Sequence, residues 1–335
     1  MLSSNLRRLQ SRTAYYIWVG VFCLIVIGVV GGLYWATIQT NYNWRWFRVP
    51  RYFVYEEELE FRAEIEGDVS AIVHQGEQAT IRITGIGEEE SYQVPTEDIR
   101  VNEGDMISPG DILAVSKHWK PGILPQGLWM TLKASVYAII FGILIGLVGG
   151  VARVSSNPAL KWSSIVYVEI IRGSPLLVQV FIWYFVLAKI IDGLLQSRGL
   201  REISPLGYGV AALACFAGAY VTEIVRAGIQ SIHHGQIEAA RSLGMSYAQS
   251  MRHIILPQAL RRILPPLAGQ FISLIKDSSL LGVIAVRELL KATREAVTIT
   301  LQPFEFYFIC AALYLLLTFT LSMFVQYLER RIKTR

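Results

Sequence analysis

A lipid bilayer accepts a helix only where about 20 consecutive residues are predominantly apolar, and four stretches of this chain carry no charge at all. Residues 14–37, 134–152, 203–222 and 306–327 contain no Asp, Glu, Lys or Arg. Two more stretches are apolar but interrupted. Residues 162–188 carry Glu169 and Arg172, and residues 263–286 carry Lys276 and Asp277. Six spans are therefore predicted, four clean and two charged. Only 17% of the 335 residues are charged, against about a quarter in a soluble domain. This composition argues against a soluble fold, a disordered chain and a disulfide-stapled scaffold. The fold class is an all-α polytopic membrane protein with a small polar insert.

The first run follows Arg7, Arg8 and Arg12, the charge order of a secretory signal. It is long for a signal core, and no small-x-small cleavage site follows before Trp44-Arg45-Trp46. It reads as a retained anchor helix (residues 14–37) behind a cytoplasmic arm (residues 1–13). Lys and Arg mark the cytoplasmic side of short loops. With six spans, that side receives the arm, the loop with Arg153 and Lys161, the loop with Arg241, Arg252, Arg261 and Arg262, and the tail with Arg330, Arg331, Lys333 and Arg335. Both termini are then cytoplasmic. Gly28 and Gly32, like Gly142, Gly146 and Gly150, recur at intervals of four, a spacing that lets helix backbones approach. Ordinary helix packing accounts for both sets. Cys23, Cys215 and Cys310 lie within spans and lack metal-ligand spacing, and His233-His234 show no ligand pattern.

Residues 41–120 form a polar insert that this topology places outside. It holds 8 Lys/Arg and 16 Asp/Glu, a net charge of −8, so the rest of the chain carries +13 of the overall +5. The basic excess marks topology; it is not a nucleic-acid footprint. Val69-Ser70-Ala71-Ile72-Val73 and Ala79-Thr80-Ile81-Arg82-Ile83 read as short strands between Gly-containing turns. The segment from Val101 to Ala114 repeats Gly-Asp six residues apart and resembles the strand-turn-strand edge of lipoyl-like barrel-sandwich domains. No Lys stands at an Asp-Lys-Ala type hairpin tip, so no carried lipoyl or biotin group is expected. A small β-rich domain for packing or docking is expected.

The loop after the fourth span, about residues 230–262, carries the most information. Residues 236–243 are rich in helix formers and end at Gly244, which can take the left-handed conformation that stops a helix. A second short helix is predicted over residues 246–255, starting at a Ser cap and stopping before Pro257. Glu238-Ala239-Ala240, Gly244 six residues after the Glu, and Ile254-Ile255-Leu256-Pro257 resemble the EAA loop of ATP-binding-cassette (ABC) importer permeases at its full spacing. Gly127-Leu128-Trp129-Met130-Thr131-Leu132, the stretch from Tyr167 to Gln179 and Lys276-Asp277-Ser278-Ser279-Leu280 are similar to the polar amino acid permeases of the histidine/glutamine/arginine type. The resemblance covers about residues 123–330. It implies a type I importer permease core of five spans in the bacterial inner membrane. It also implies that Glu238, Ala239, Ala240, Gly244, Ile254, Leu256 and Pro257 form the knob engaged by a separate cytoplasmic ATPase. A second permease subunit, identical or related, and an extracytoplasmic solute-binding protein are implied as partners. The first span and the acidic insert depart from the commonest members of that family.

Charges at bilayer depth cost several kcal/mol and are functional candidates. Glu169 and Arg172 are three apart, as are Glu223 and Arg226, so each pair can share a helix face and neutralise itself. Glu223/Arg226 read as a structural ion pair. Glu169, Arg172, Lys276 and Asp277 are candidates for a translocation path, since a zwitterionic amino acid needs both signs, with structural pairing of Glu169/Arg172 as the equal alternative. Gly173-Ser174-Pro175 should interrupt its helix and free backbone groups of the kind that line transporter sites. No Gly-x-x-x-x-Gly-Lys-Ser/Thr phosphate loop, His-Glu-x-x-His or Gly-x-Ser-x-Gly pattern occurs. The chain is therefore expected to be no enzyme and to hold no cofactor, the ATP and Mg being used by the partner. An ion-gradient transporter or channel with an acidic outer domain is the competing function. A receptor is a weaker one, having no cytoplasmic output domain.

Overall fold

The computed structural model describes residues 12–85 and 87–333. Arg7, Arg8 and Arg335, and most of the predicted arm, lie outside the described residues. The chain divides into two units, one ending at Phe47 and one beginning at Arg48. In the first, helix α1 (Arg12–Gln39) covers the predicted anchor. Its Gly28 and Gly32 have no neighbouring atom within 4 Å of where a Cβ would sit. The helix end is closed by Trp44, whose indole donates to Thr37 Oγ1 at 3.2 Å and stacks on Trp46.

The second unit opens with the insert. Strand β1 (Val54–Arg62) pairs only with β6 (Ile112–Pro121), from Val54↔Pro121 to Arg62↔Ile112. Between them β2 (Gly67–Gln75), β3 (Gln78–Thr84), β4 (Glu89–Pro95) and β5 (Met106–Ile107) form an antiparallel sheet in the order β4-β3-β2-β5. Both predicted strands are present, longer at each end. Alternation sets the faces: Ala79, Ile81 and Ile83 turn inward against Val69, Val94 and Leu113, while Arg82 turns outward to Glu89. The Gly-Asp repeat folds as two like turns. Asp105 accepts from the Asn102 amide at 2.7 Å and Asp111 from the Ser108 amide at 2.8 Å. Gly104 and Gly110, at φ +90° and +97°, supply the backbone reversal. The β1–β6 ribbon is braced by Lys117–Glu58 and Lys120–Glu57 across the strands.

The ribbon runs directly into helix α2 (Ile123–Arg153). Val49 and Tyr52, just before β1, pack with Leu124, Leu289 and Phe306, Tyr52 meeting the Phe306 ring edge-on at 4.8 Å. Helix α2 lies against α6 (Pro205–Gln230). Gly142, Gly146 and Gly150 face Ala217, Val221 and Val225, so the four-residue spacing does bring two helix backbones together here. The third predicted span is displaced. Helix α3 (Pro158–Gly173) stops at Ser174-Pro175, as the Gly-Ser-Pro sequence predicts. The membrane-length apolar helix then runs over Leu176–Gln196, as α4 (Leu176–Phe181), a π turn (Ile182–Leu187) and α5 (Ala188–Gln196).

After α6 come the short helices α7 (His234–Ser242) and α8 (Tyr247–Ser250), then a π turn over Met251–Ile255. Helix α9 (Leu256–Asp277) continues from it and passes into a 3-10 segment ending at Ile284. The expected stop before Pro257 does not occur. Proline is tolerated in the first turn of a helix, where its missing N–H would be unpaired anyway, and the wide π turn before it moves the preceding carbonyls aside. Helices α10 (Leu289–Thr300) and α11 (Pro303–Lys333) complete the chain. Six helices among the described residues are long and apolar enough to cross a membrane. In the second unit, Ala138 of α2, Val180 of α4, Leu213 of α6, Leu274 of α9 and Leu281 just beyond α9 build a shared core.

Candidate functional site

Helix α7 is closed at both ends by local chemistry. The His233 side chain, a residue with no role assigned from sequence, accepts from the Gly235 amide through Nδ1 at 3.1 Å and so caps the first turn. At the other end Gly244 stands at φ +77°. Its amide bonds the Arg241 carbonyl at 2.9 Å and the Met245 amide bonds the Ala240 carbonyl at 3.1 Å, a Schellman closure. Ser246 and Gln249 then start α8 reciprocally: the Ser246 hydroxyl accepts from the Gln249 amide at 3.3 Å and the Gln249 side chain accepts from the Ser246 amide at 2.8 Å. The result is a compact knob. Glu238, Ala239 and Pro257 are exposed, Ile254 and Leu256 half-buried, and Ala240 buried. Leu243, at 82% exposure, is its most solvent-facing apolar side chain. The knob's inner face rests through Ile232, Ile237 and Ile255 on Val221, Val225 and Ile263 of α6 and α9.

The charges sort into two groups. At the knob end of α6, Glu223 is held by Arg226 at 2.8 Å, as predicted, and also by Arg153 of α2 at 2.7 Å. Arg226 further donates to Gln230 at 2.5 Å. Glu169 and Arg172 do not pair with one another. Their spacing permits it, but Arg172 sits in the last turn of α3 and turns toward α6, where its guanidinium lies 5.1 Å from the Tyr220 ring centroid. The Glu169 side chain is 73% exposed and reaches Arg153 only at 4.0 Å. Lys276 is exposed and Asp277 half-buried at the end of α9. Neither forms an ion pair among the described residues.

Three residues were missed from sequence. Arg153 reads there as a topology marker, yet it joins α2 to α6. Gln179, buried to 5% exposure, sits inside an apolar run just past the helix break; a lone amide in such a run is the only sequence signal. Glu288 is fully buried. It caps α10 by accepting from the Leu290 and Lys291 amides, both at 2.7 Å, and it accepts from the Tyr314 hydroxyl of α11 at 2.9 Å. Burial pushes its carboxyl above the usual range, although these hydrogen bonds pull the other way.

Residues 138–334 match the family described as binding-protein-dependent transport system inner membrane component. The chain belongs to that family. This permease is 42% identical over 208 residues to the probable glutamine ABC transporter permease protein GlnM of Bacillus subtilis, covering 62% of this chain and 92% of that protein. It is 39% identical over 211 residues to the glutamine transport system permease protein GlnP of Escherichia coli K12, covering 63% and 93%. Among solved structures, an amino acid ABC transporter described with histidines aligns at TM-score 0.55 with 41% identity, over 62% of this chain and 94% of the other. The MetNI methionine transporter aligns at TM-score 0.54 with 22% identity and shows the fold alone. The permease is an ABC importer subunit and a multi-pass protein of the bacterial inner membrane. The family match begins within α2, leaving α1 and the insert to its N-terminal side.

Proposed function

We propose that this permease passes a polar amino acid inward from an extracytoplasmic solute-binding protein, driven by a separate cytoplasmic ATPase that engages the α7–α8 knob. The observation that carries the reading is the knob. Its outward face presents Glu238, Ala239 and Leu243 to a partner, while its inner face is packed on α6 and α9. A push on it is therefore delivered to two spans. Basic residues put the knob, the N-terminal arm and the C-terminal tail on the cytoplasmic side, which sets the acidic insert outside. The amino-acid class follows the names of the relatives. The chain itself hydrolyses no ATP and holds no cofactor; ATP and Mg belong to the partner. A second permease copy or a related subunit completes the pathway.

Within the membrane unit, Glu169, Arg172, Lys276 and Asp277 are assigned to the path, because Lys276 and Asp277 have no ion-pair partner among the described residues, Glu169 reaches Arg153 only at 4.0 Å, and the Ser174-Pro175 break adjoins Arg172 in sequence. Glu223, paired with two arginines, is structural. The test is copurification with a candidate ABC ATPase co-expressed with the permease. Wild-type permease retains it, and Gly244→Glu, which forces a charged side chain into a left-handed position, loses it. A Gly244→Glu permease that still binds the ATPase and imports would sink the reading. Transport by the purified permease with no ATPase present would point to an ion-gradient carrier instead.

A further inference from the structure

Proline at position 175 removes one particular hydrogen bond. In a continuous helix the amide of residue 175 would bond the carbonyl of residue 171, and a proline ring there both lacks the amide and collides with that carbonyl. The chain resolves the conflict by breaking: Ser174 is extended at φ −116° and ψ 145°, and α4 starts afresh at Leu176. The Ile171 carbonyl is left half-buried without a helical partner, and leaving such a group without a hydrogen bond is costly.

The structure shows what replaces the missing amide. The Gln179 side chain, one turn into α4, donates through Nε2 to the Ile171 carbonyl at 2.7 Å. The same Nε2 lies 3.1 Å from the Ser174 carbonyl and 2.9 Å from Ser174 Oγ. Ser174 Oγ in turn donates to the Ile170 carbonyl at 2.9 Å. Each half is also anchored to the rest of the membrane unit. Helix α3 is tied to its neighbours by Ser164 Oγ to the Gly149 carbonyl at 2.8 Å and Tyr167 to the Cys215 carbonyl at 2.6 Å. Helix α4 packs through Leu176 and Val180 on Leu281 and Ile284, just beyond Asp277. One amide thus bridges the half carrying Glu169 and Arg172 and the half packed on the segment that follows Asp277.

We infer that Gln179 is a positioning residue: its side-chain amide stands in for the missing Pro175 N–H and holds the third span open at Ser174-Pro175, and import requires that held break. The functional half of this inference rests on the translocation reading above; the hydrogen-bond half does not. Pro175→Ala separates them, because it returns the backbone amide that the Ile171 carbonyl lacks and lets the helix close. The test uses full-length permease, alone for melting and with its ATPase and binding protein in vesicles for import. Gln179→Leu is expected to melt about 3 °C lower and to lose import at least tenfold while ATP hydrolysis persists. Adding Pro175→Ala to Gln179→Leu is expected to restore the melting temperature but not import. A double variant as unstable as Gln179→Leu overturns the substitution of one donor for the other. A double variant that regains import shows that the break has no transport role and Gln179 is ordinary structure. Should the wild type import no amino acid under these conditions, the translocation reading fails and takes the positioning role with it, while the melting comparison still decides the hydrogen-bond half.

Discussion

The α2–α6 contact gives the sharpest test of how this membrane unit is packed. At Gly146 an added Cβ would fall inside contact distance of the Val221 side chain and lie 3.0 Å from the Thr222 backbone nitrogen. Carbon atoms rest at about 3.5–4.0 Å, so Gly146→Ala must push the two helices apart. At Gly28 in α1 nothing lies within 4 Å of the same position. Alanine is favoured over glycine in a helix by about 1 kcal/mol, and that gain is common to both sites. The difference between the two variants therefore isolates packing. Overfilling a close-packed site costs about 1–3 kcal/mol, which for a chain of this size is a gap of about 1.5–4 °C in melting temperature. Gly28→Ala should melt at or slightly above the wild type and Gly146→Ala clearly below it, read by scanning fluorimetry of the purified permease. Equal melting temperatures for the two variants would refute close backbone approach at Gly146.

Glu288 should make stability depend on pH. Because burial raises its carboxyl above the unfolded value of about 4.3, the folded state binds the proton more tightly, so its contribution is full in acid and is lost as pH rises through the raised value; wild type should melt higher at pH 5 than at pH 7.5, and Glu288→Gln should flatten that slope. Glu223 is shared by Arg153 and Arg226, and stripping the partner from a mostly buried charge costs about 3 kcal/mol, so Glu223→Met, which strands both guanidiniums, should melt below Arg153→Met, which leaves Glu223 paired with Arg226. In the insert, Asp105→Ala and Asp111→Ala each strip an acceptor from one turn amide, a loss of about 1 kcal/mol apiece that should add in the double variant, as measured by limited proteolysis of the insert. Asp277→Asn removes a charge that no described residue pairs, so melting should hold or rise while import falls; a drop in melting as large as that of Glu223→Gln would refute its assignment to the path.

Spans were legible because charge is the one thing a bilayer-crossing helix shows plainly. The break at Ser174-Pro175 and the end of α7 at Gly244 were legible because proline and glycine act through local backbone geometry, whatever surrounds them. The same local reasoning misled at Pro257, where a π turn over Met251–Ile255 carries the chain into α9 without a stop. It also misplaced the third span, since the apolar run continues on both sides of the break and gives no sign of which half is the membrane-length helix. Glu169 and Arg172 show the limit most clearly. Their spacing allows a pair, but the choice is made by Tyr220 and Arg153, residues distant in sequence that only the α2–α3–α6 packing brings near.

The charges that the fold satisfies and those it leaves unsatisfied are separated along the chain's own logic. Glu223 has two arginines within 2.8 Å, so its burial cost is met inside the subunit and it asks nothing of any ligand. Asp277 and Lys276 adjoin one another in sequence yet cannot both point inward, and no other described residue neutralises them. An uncompensated charge at bilayer depth costs several kcal/mol, a penalty that a structural role would have removed with a partner, as it was removed at Glu223. It persists where compensation comes from elsewhere, from water in an open path or from a cargo bearing the opposite charge. A zwitterion supplies both signs at once.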